Sequence, residues 1–182
     1  MKGGKHVLNL TVLGWICLSL MTGCEREDEK EAEVPLPAQQ LETFSMQHTE
    51  AGVKKWHLRG ESSEIRKEKV IVKNPELQIF EEGKISITLT GDKGEFFPTG
   101  KQKDNLYFYG GVVGVNESGT LFTEELHWLN KEGHLYSPAE VKLVRGDSTW
   151  YGIEMVANPD LETVKMSKNR FKLYPKDEEK NE

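Results

Sequence analysis

Five histidines, two cysteines and a Gly110-Gly111-Val112-Val113-Gly114 run are the residues of this chain whose types could do chemistry. His48, His57, His127 and His134 lie in the main body, and none has a partner at a zinc-site spacing. No Gly-x-Ser-x-Gly elbow is present. The glycine run lacks the lysine and the following helix of a phosphate loop, so it reads as a bulged strand. Glu124, Glu125, Asp147, Glu154 and Asp160 are plentiful but read as a solvated surface. His127 stands between Leu126 and Trp128, which places it on a wet strand face. With no triad, metal or phosphate geometry in view, the expectation is a protein that is not an enzyme, with no cofactor and no metal.

The one residue with a reactive setting is Cys24. Lys2 and Lys5 precede an apolar run from Val7 to Met21, and Thr22-Gly23-Cys24 follows. A basic start, an apolar run of about 15 residues and small residues before the cut describe a secretory signal. A membrane span would want about 20 apolar residues. The ending resembles a bacterial lipobox, with Met21 where leucine is usual and Leu20 one place early. Residues 1–23 are thus read as a lipoprotein signal peptide, with Cys24 as the acylated first residue of the mature chain. The alternative is an uncleaved anchor that happens to hold a cysteine. Cys17 would leave with the signal, so no disulfide framework is expected and the fold must rest on its core. Cleavage removes two of the 24 basic residues and none of the 30 acids, leaving 22 against 30, a net −8. A nucleic-acid partner would need a basic footprint, which argues against one.

Residues 24–50 read as a lipid-anchored acidic linker. The stretch is rich in acids up to Glu33, continues into Val34-Pro35-Leu36-Pro37, and shows no periodic apolar face until Leu41, Phe44 and Met46, whose spacing suggests a short helical turn. The sheet pattern is expected to start near Gly52 and fill residues 51–175, with a charged tail over 176–182. Within it the apolar residues recur at every second position: Trp56 and Leu58, Ile85, Ile87 and Leu89, Leu106 and Phe108, Leu126 and Trp128, Val141 and Leu143. Val70-Ile71-Val72 adds a strand stopped by Pro75, and Leu77 to Phe80 forms a hairpin with the strand after Gly83. If Gly110-Gly111 forms a bulge, Val113 and Val115 rather than Val112 continue the inner face. About ten short strands with regular turn signals and no long helix predict an all-β sandwich, jellyroll or barrel-like roll. Its apolar lining is either an ordinary core or a slot that accepts acyl chains; core and slot share an alphabet.

The order of these elements carries a resemblance. An N-terminal anchor, Trp56-x-Leu58, Val72-x-Asn74-Pro75, Leu106-Tyr107-Phe108-Tyr109-Gly110-Gly111-Val112, Thr123-Glu124-x-Leu126-x-Trp128 and Gly152 together resemble the LptC family, over about Val53 to Met166. The resemblance implies an open β-jellyroll at the periplasmic face of the inner membrane, here lipid-anchored through Cys24 where many members have a transmembrane helix. It implies lipopolysaccharide as cargo, an LptB/LptF/LptG-type ABC transporter as its source and an LptA-like periplasmic jellyroll as its acceptor. The lipid-binding interior would then comprise Trp56, Leu58, Val72, Ile87, Leu89, Leu106, Phe108, Leu126, Trp128, Val141 and Leu143. The strand near Trp56 would supply one docking edge and the strands after Gly152 the other, Gly152 allowing close backbone approach. The rival readings are an OstA/LptA-type bridge protein and an unrelated β-sandwich lipoprotein that binds a protein or glycan.

Overall fold

The computed structural model describes residues 39–173, and every regular element among them is a strand. In chain order these are β1 (Gln39–Glu50), β2 (Val53–Ile65), β3 (Val70–Lys73), β4 (Glu76–Glu81), β5 (Lys84–Thr90), β6 (Lys93–Phe96), β7 (Leu106–Asn116), β8 (Gly119–Leu129), β9 (His134–Arg145), β10 (Ser148–Ala157) and β11 (Val164–Leu173). All pairings are antiparallel, so the all-β expectation holds. The signal segment, Cys24, the linker as far as residue 38 and the tail over 176–182 lie outside the described residues.

The strand pairings define two facing layers joined along a crease. Trp56–Arg59 of β2 pairs with β4, whereas Ser62–Ile65 of the same strand pairs with β3. β4 leads through β5 to Val113–Val115 of β7, and β3 leads through β6 to Leu106–Tyr109 of β7. Two routes thus run from β2 to β7, and six strands close a ring. From β7 the sheet continues through β8, β9 and β10 to β11, while β1 pairs, among the described residues, only with β2. Among the described residues the free edges are therefore β1 and β11.

Every long strand bends where it passes from one layer to the other. β1 steps over Thr43 (φ 61°), β7 over Gly110 and Gly111 (φ 76° and 50°), β10 over Glu154 (φ 54°) and β11 over Lys168 (φ 48°). In β8 the register shifts between Thr123 and His127. A residue inserted on one strand of an antiparallel pair bends it sharply, so a row of such insertions makes a fold line across the sheet. The links β3–β4 and β5–β6 cross at the same level. Asn74 N donates to Asp92 O and Asp92 N to Gly110 O, each at 3.0 Å, stitching the crease. Gly110 is required there, since a Cβ would fall 2.6 Å from Asp92 Oδ2 at a φ that L-residues avoid.

Four expectations need correction. Gln39–Glu50 is neither linker nor helical turn but strand β1, paired with β2 along its length. Its apolar spacing of three then two reads as helical because Thr43, at positive φ, breaks period two between Leu41 and Phe44 with the β1–β2 register unchanged across it. The sheet thus begins before residue 51, and the strand of Trp56 is not an edge, since β1 covers it. Around Gly110-Gly111 the insertion spends two residues, so parity is kept: Val112 is buried, while Val113 is half-buried and Val115 exposed. Ile85, expected inside with Ile87 and Leu89, is 52% exposed at the hairpin end, beside the register shift at Ile79/Phe80.

Candidate functional site

Between the layers the inward alternation of nearly every strand meets in one apolar body. All eleven residues expected to line it are buried, none more than 6% exposed. Trp56 and Leu58 come from β2, Val72 from β3, Ile87 and Leu89 from β5, and Leu106 and Phe108 from β7. Leu126 and Trp128 come from β8, and Val141 and Leu143 from β9. The structure adds Leu77, Ile79, Phe96, Leu121, Leu135 and Met155, which the same period-two pattern within their own strands would have found. Removing a leucine, valine or phenylalanine side chain from water is worth about 1.5–3 kcal/mol, so this interior is the main source of stability.

Among the described residues the apolar interior reaches both ends of the sheet, where its last side chains are only half-covered. At the β1 end a cleft of about 660 Å³ opens between Leu41, Ser63, Ile71 and Val72, with Glu61, Lys73 and Asp92 at its crease side. Leu41, which faces Ser63 across the β1–β2 pair, is 44% exposed. At the β11 end Val164 and Met166 are half-buried against the core, and Phe171 is 56% exposed with its ring edge-on to Trp150. The apolar column thus runs from one free edge to the other.

Opposite the crease, two side-chain bonds tie the rims together. Trp56 Nε1 of one layer donates to Asn130 Oδ1 in the β8–β9 turn of the other, at 3.1 Å. Asn116 Nδ2 in the β7–β8 turn donates to Pro159 O in the β10–β11 loop, at 3.2 Å. The buried hydroxyls inside are satisfied where they meet: Thr123 Oγ1 donates to Glu140 O at 2.9 Å and lies 3.0 Å from Ser137 Oγ. Ser63 Oγ and Trp128 Nε1 are buried without a partner among the described residues.

Gly152 lies in β10, opposite Val141 of β9 and beneath β11, one strand in from the free edge. A Cβ there would fall 2.7 Å from Met166 Cβ and 2.9 Å from Asn169 Oδ1. The missing side chain therefore serves the seating of β11, and the edge itself is β11.

Among the described residues, chemistry-bearing side chains on the outer face are spread over small local contacts. His127 faces outward, stacked on Tyr107 at 3.9 Å between centroids, with Nε2 2.7 Å from Glu125 Oε1. His57 Nε2 lies 2.9 Å from Ser45 Oγ; burial, then Arg59 and Lys54, holds its pKa below the ordinary value. Burial, with Glu95 and Glu125 nearby, pushes the Tyr109 hydroxyl up to about 12.

Glu95, turned away from inward-facing Gly94 and Phe96, accepts Lys69 Nζ at 2.8 Å and Lys93 Nζ at 2.7 Å. Burial alone would raise its carboxyl, but the bonds from the two lysines outweigh it and hold the pKa below 4.5. A depressed folded pKa contributes stability above the unfolded value, and that stability is lost as pH falls through the folded one. Glu95→Gln should therefore lower the melting temperature at pH 7 and flatten its dependence on pH below about 4.5. Melting curves from pH 3 to 7 check this; an unchanged acid limb would mean that the two ion pairs add no stability.

Over residues 7–170 the chain matches the family model of LptC, described as lipopolysaccharide-assembly, LptC-related. No curated protein matches the chain. The match covers most of the sequence, from the N-terminal apolar segment into β11. The family is one of transport proteins rather than enzymes, associated with the cell envelope and periplasm, and it implies interaction with lipopolysaccharide and the Lpt machinery. The chain belongs to the lipopolysaccharide-assembly LptC family, and membership implies a role in lipopolysaccharide transport.

Proposed function

We propose that this chain takes the acyl chains of lipopolysaccharide between its two layers, from an LptB/LptF/LptG-type transporter in the inner membrane, and passes them to an LptA-like jellyroll. The observation that carries this reading is the apolar column that reaches both free edges with its end residues half-covered. An acyl chain exposed to water costs about 0.8 kcal/mol per CH₂, so it has to travel within such a column. Entry requires the layers to part. The rim ties at Trp56–Asn130 and Asn116–Pro159 oppose this with about 1 kcal/mol each, less than a few buried CH₂ groups return.

The edges supply the docking. Each presents unpaired backbone groups to a neighbouring sheet, and strand addition continues the column from one jellyroll to the next. β11 carries Lys165, Lys168, Arg170 and Lys172 and no acid, which suits an acidic acceptor strand. At the other end, β1 carries Glu42 and Glu50. The transporter is proposed to dock at β1 and the LptA-like acceptor at β11, where Gly152 lets Met166 lie flat.

Cys24 is proposed as the acylated anchor at the periplasmic face of the inner membrane. Cys24→Ala should leave an uncleaved precursor whose domain still folds, and a gel-mobility shift with a melting curve checks it; normal maturation would rule out the lipobox. The transport reading is tested by extracting lipid from the purified full-length protein. Co-purified lipopolysaccharide is the expected result, and its consistent absence would favour a closed sandwich that binds protein or glycan.

A further inference from the structure

At the last inward position of β9, where Val141 and Leu143 precede it in alternation, stands Arg145. Trp150, which pairs with Leu143 across the β9–β10 hairpin, faces the same way, and its ring lies 5.3 Å from the Arg145 guanidinium carbon. Arg145 Nε and Nη2 and Trp150 Nε1 are all buried and all lack a hydrogen-bond acceptor, and no carboxylate pairs with Arg145 among the described residues. Three unspent donors in one stacked pair, one of them on a side chain that cannot shed its charge, are a costly arrangement for a core to keep. Gly119 keeps the space open, since a Cβ there would fall 2.9 Å from Arg145 Cγ. Asn116, paired with Gly119, ties down the β10–β11 loop through Pro159 O.

We infer that Arg145 and Trp150 form an anion site at the rim of the apolar interior, for a phosphate group carried on the lipid whose chains occupy that interior. The guanidinium over the indole offers donors from two side chains at one place, and a tetrahedral phosphate has more oxygens than a carboxylate with which to accept them. Arginine's fork also suits phosphate bidentately. The inward aspect, with Leu143 next along the strand, favours a headgroup joined to apolar chains over a free anion. This inference rests on the lipid-carrier reading and adds where the headgroup sits.

The test uses the full-length protein, labelled with ¹⁵N in detergent micelles, and follows the Trp150 indole resonance, assigned by its loss in Trp150→Phe. The probes are phosphorylated lipopolysaccharide, the same lipid after chemical dephosphorylation, and inorganic phosphate. The phosphorylated lipid should move the resonance and the other two should not. Arg145→Gln should weaken binding of the phosphorylated lipid about tenfold, leave the dephosphorylated form unchanged, and melt at or above wild type. If Arg145→Gln unfolds, the wild-type resonance alone carries the test. An equal response to inorganic phosphate would overturn the lipid source. Equal binding of both lipids by wild type and variant would overturn the site while leaving the carrier reading intact. Failure of wild type to bind either lipid would instead remove the carrier reading, and the site with it.

Discussion

Phe108→Ala should lower the melting temperature by about 10–20 °C, the largest stability effect expected of any single substitution in the interior. Phe108 is fully buried on the inner face of β7, with Leu126 and Gly94 as its cross-strand partners. Its removal costs the transfer energy of the ring plus a cavity, together about 3–5 kcal/mol. If the interior were a core and nothing more, that loss would be independent of lipid. In an acyl-chain carrier, lipopolysaccharide should raise the melting temperature of Phe108→Ala more than that of wild type, because a chain fills the space the ring left. Thermal melts of both proteins with and without lipid measure the difference, and identical shifts would argue for a core alone.

Gly152→Arg should abolish capture of an LptA-like partner while leaving most of the domain folded. The clash begins at Cβ, 2.7 Å from Met166 Cβ, so β11 must lift off β10 whichever rotamer the arginine adopts. Overpacking of this kind costs about 1–3 kcal/mol. The six-strand ring closes without β10 or β11, so the damage should stay at the C-terminal edge. Gly152→Ala already carries the Cβ and should move both readouts in the same direction. A pull-down alongside a melt separates the outcomes. Retained capture would show that β11 is not the docking edge, and complete unfolding would show that β10 and β11 belong to the cooperative core.

Period two made the eleven lining residues readable, because on each side of its bend a long strand has one dry face. The bend itself was not readable. Thr43, Glu154 and Lys168 adopt positive φ without being residues that call for it, and only Gly110-Gly111 announced an insertion. Even there parity depended on whether one residue or two would be spent, which pairing with β8 decides and local sequence does not. β1 was missed for the same reason: the positive φ at Thr43 turned a strand's alternation into apparent helical spacing. Gly152 was legible as a place of close approach, but the approaching group is Met166 of the chain's own last strand. Arg145 gave no signal at all, since a charged residue beside a Gly-Asp turn reads as surface.

Whether acyl chains lie between the layers is tested most directly by site-specific photo-crosslinking. A photoreactive residue at Phe108, Leu126, Trp128 or Leu143, all inward and buried, should capture lipopolysaccharide in cells. The same residue at Tyr107, His127 or Lys142, on the outer face, should not. Labelling confined to the inward set is the predicted result; labelling of both faces alike, or of neither, would contradict it.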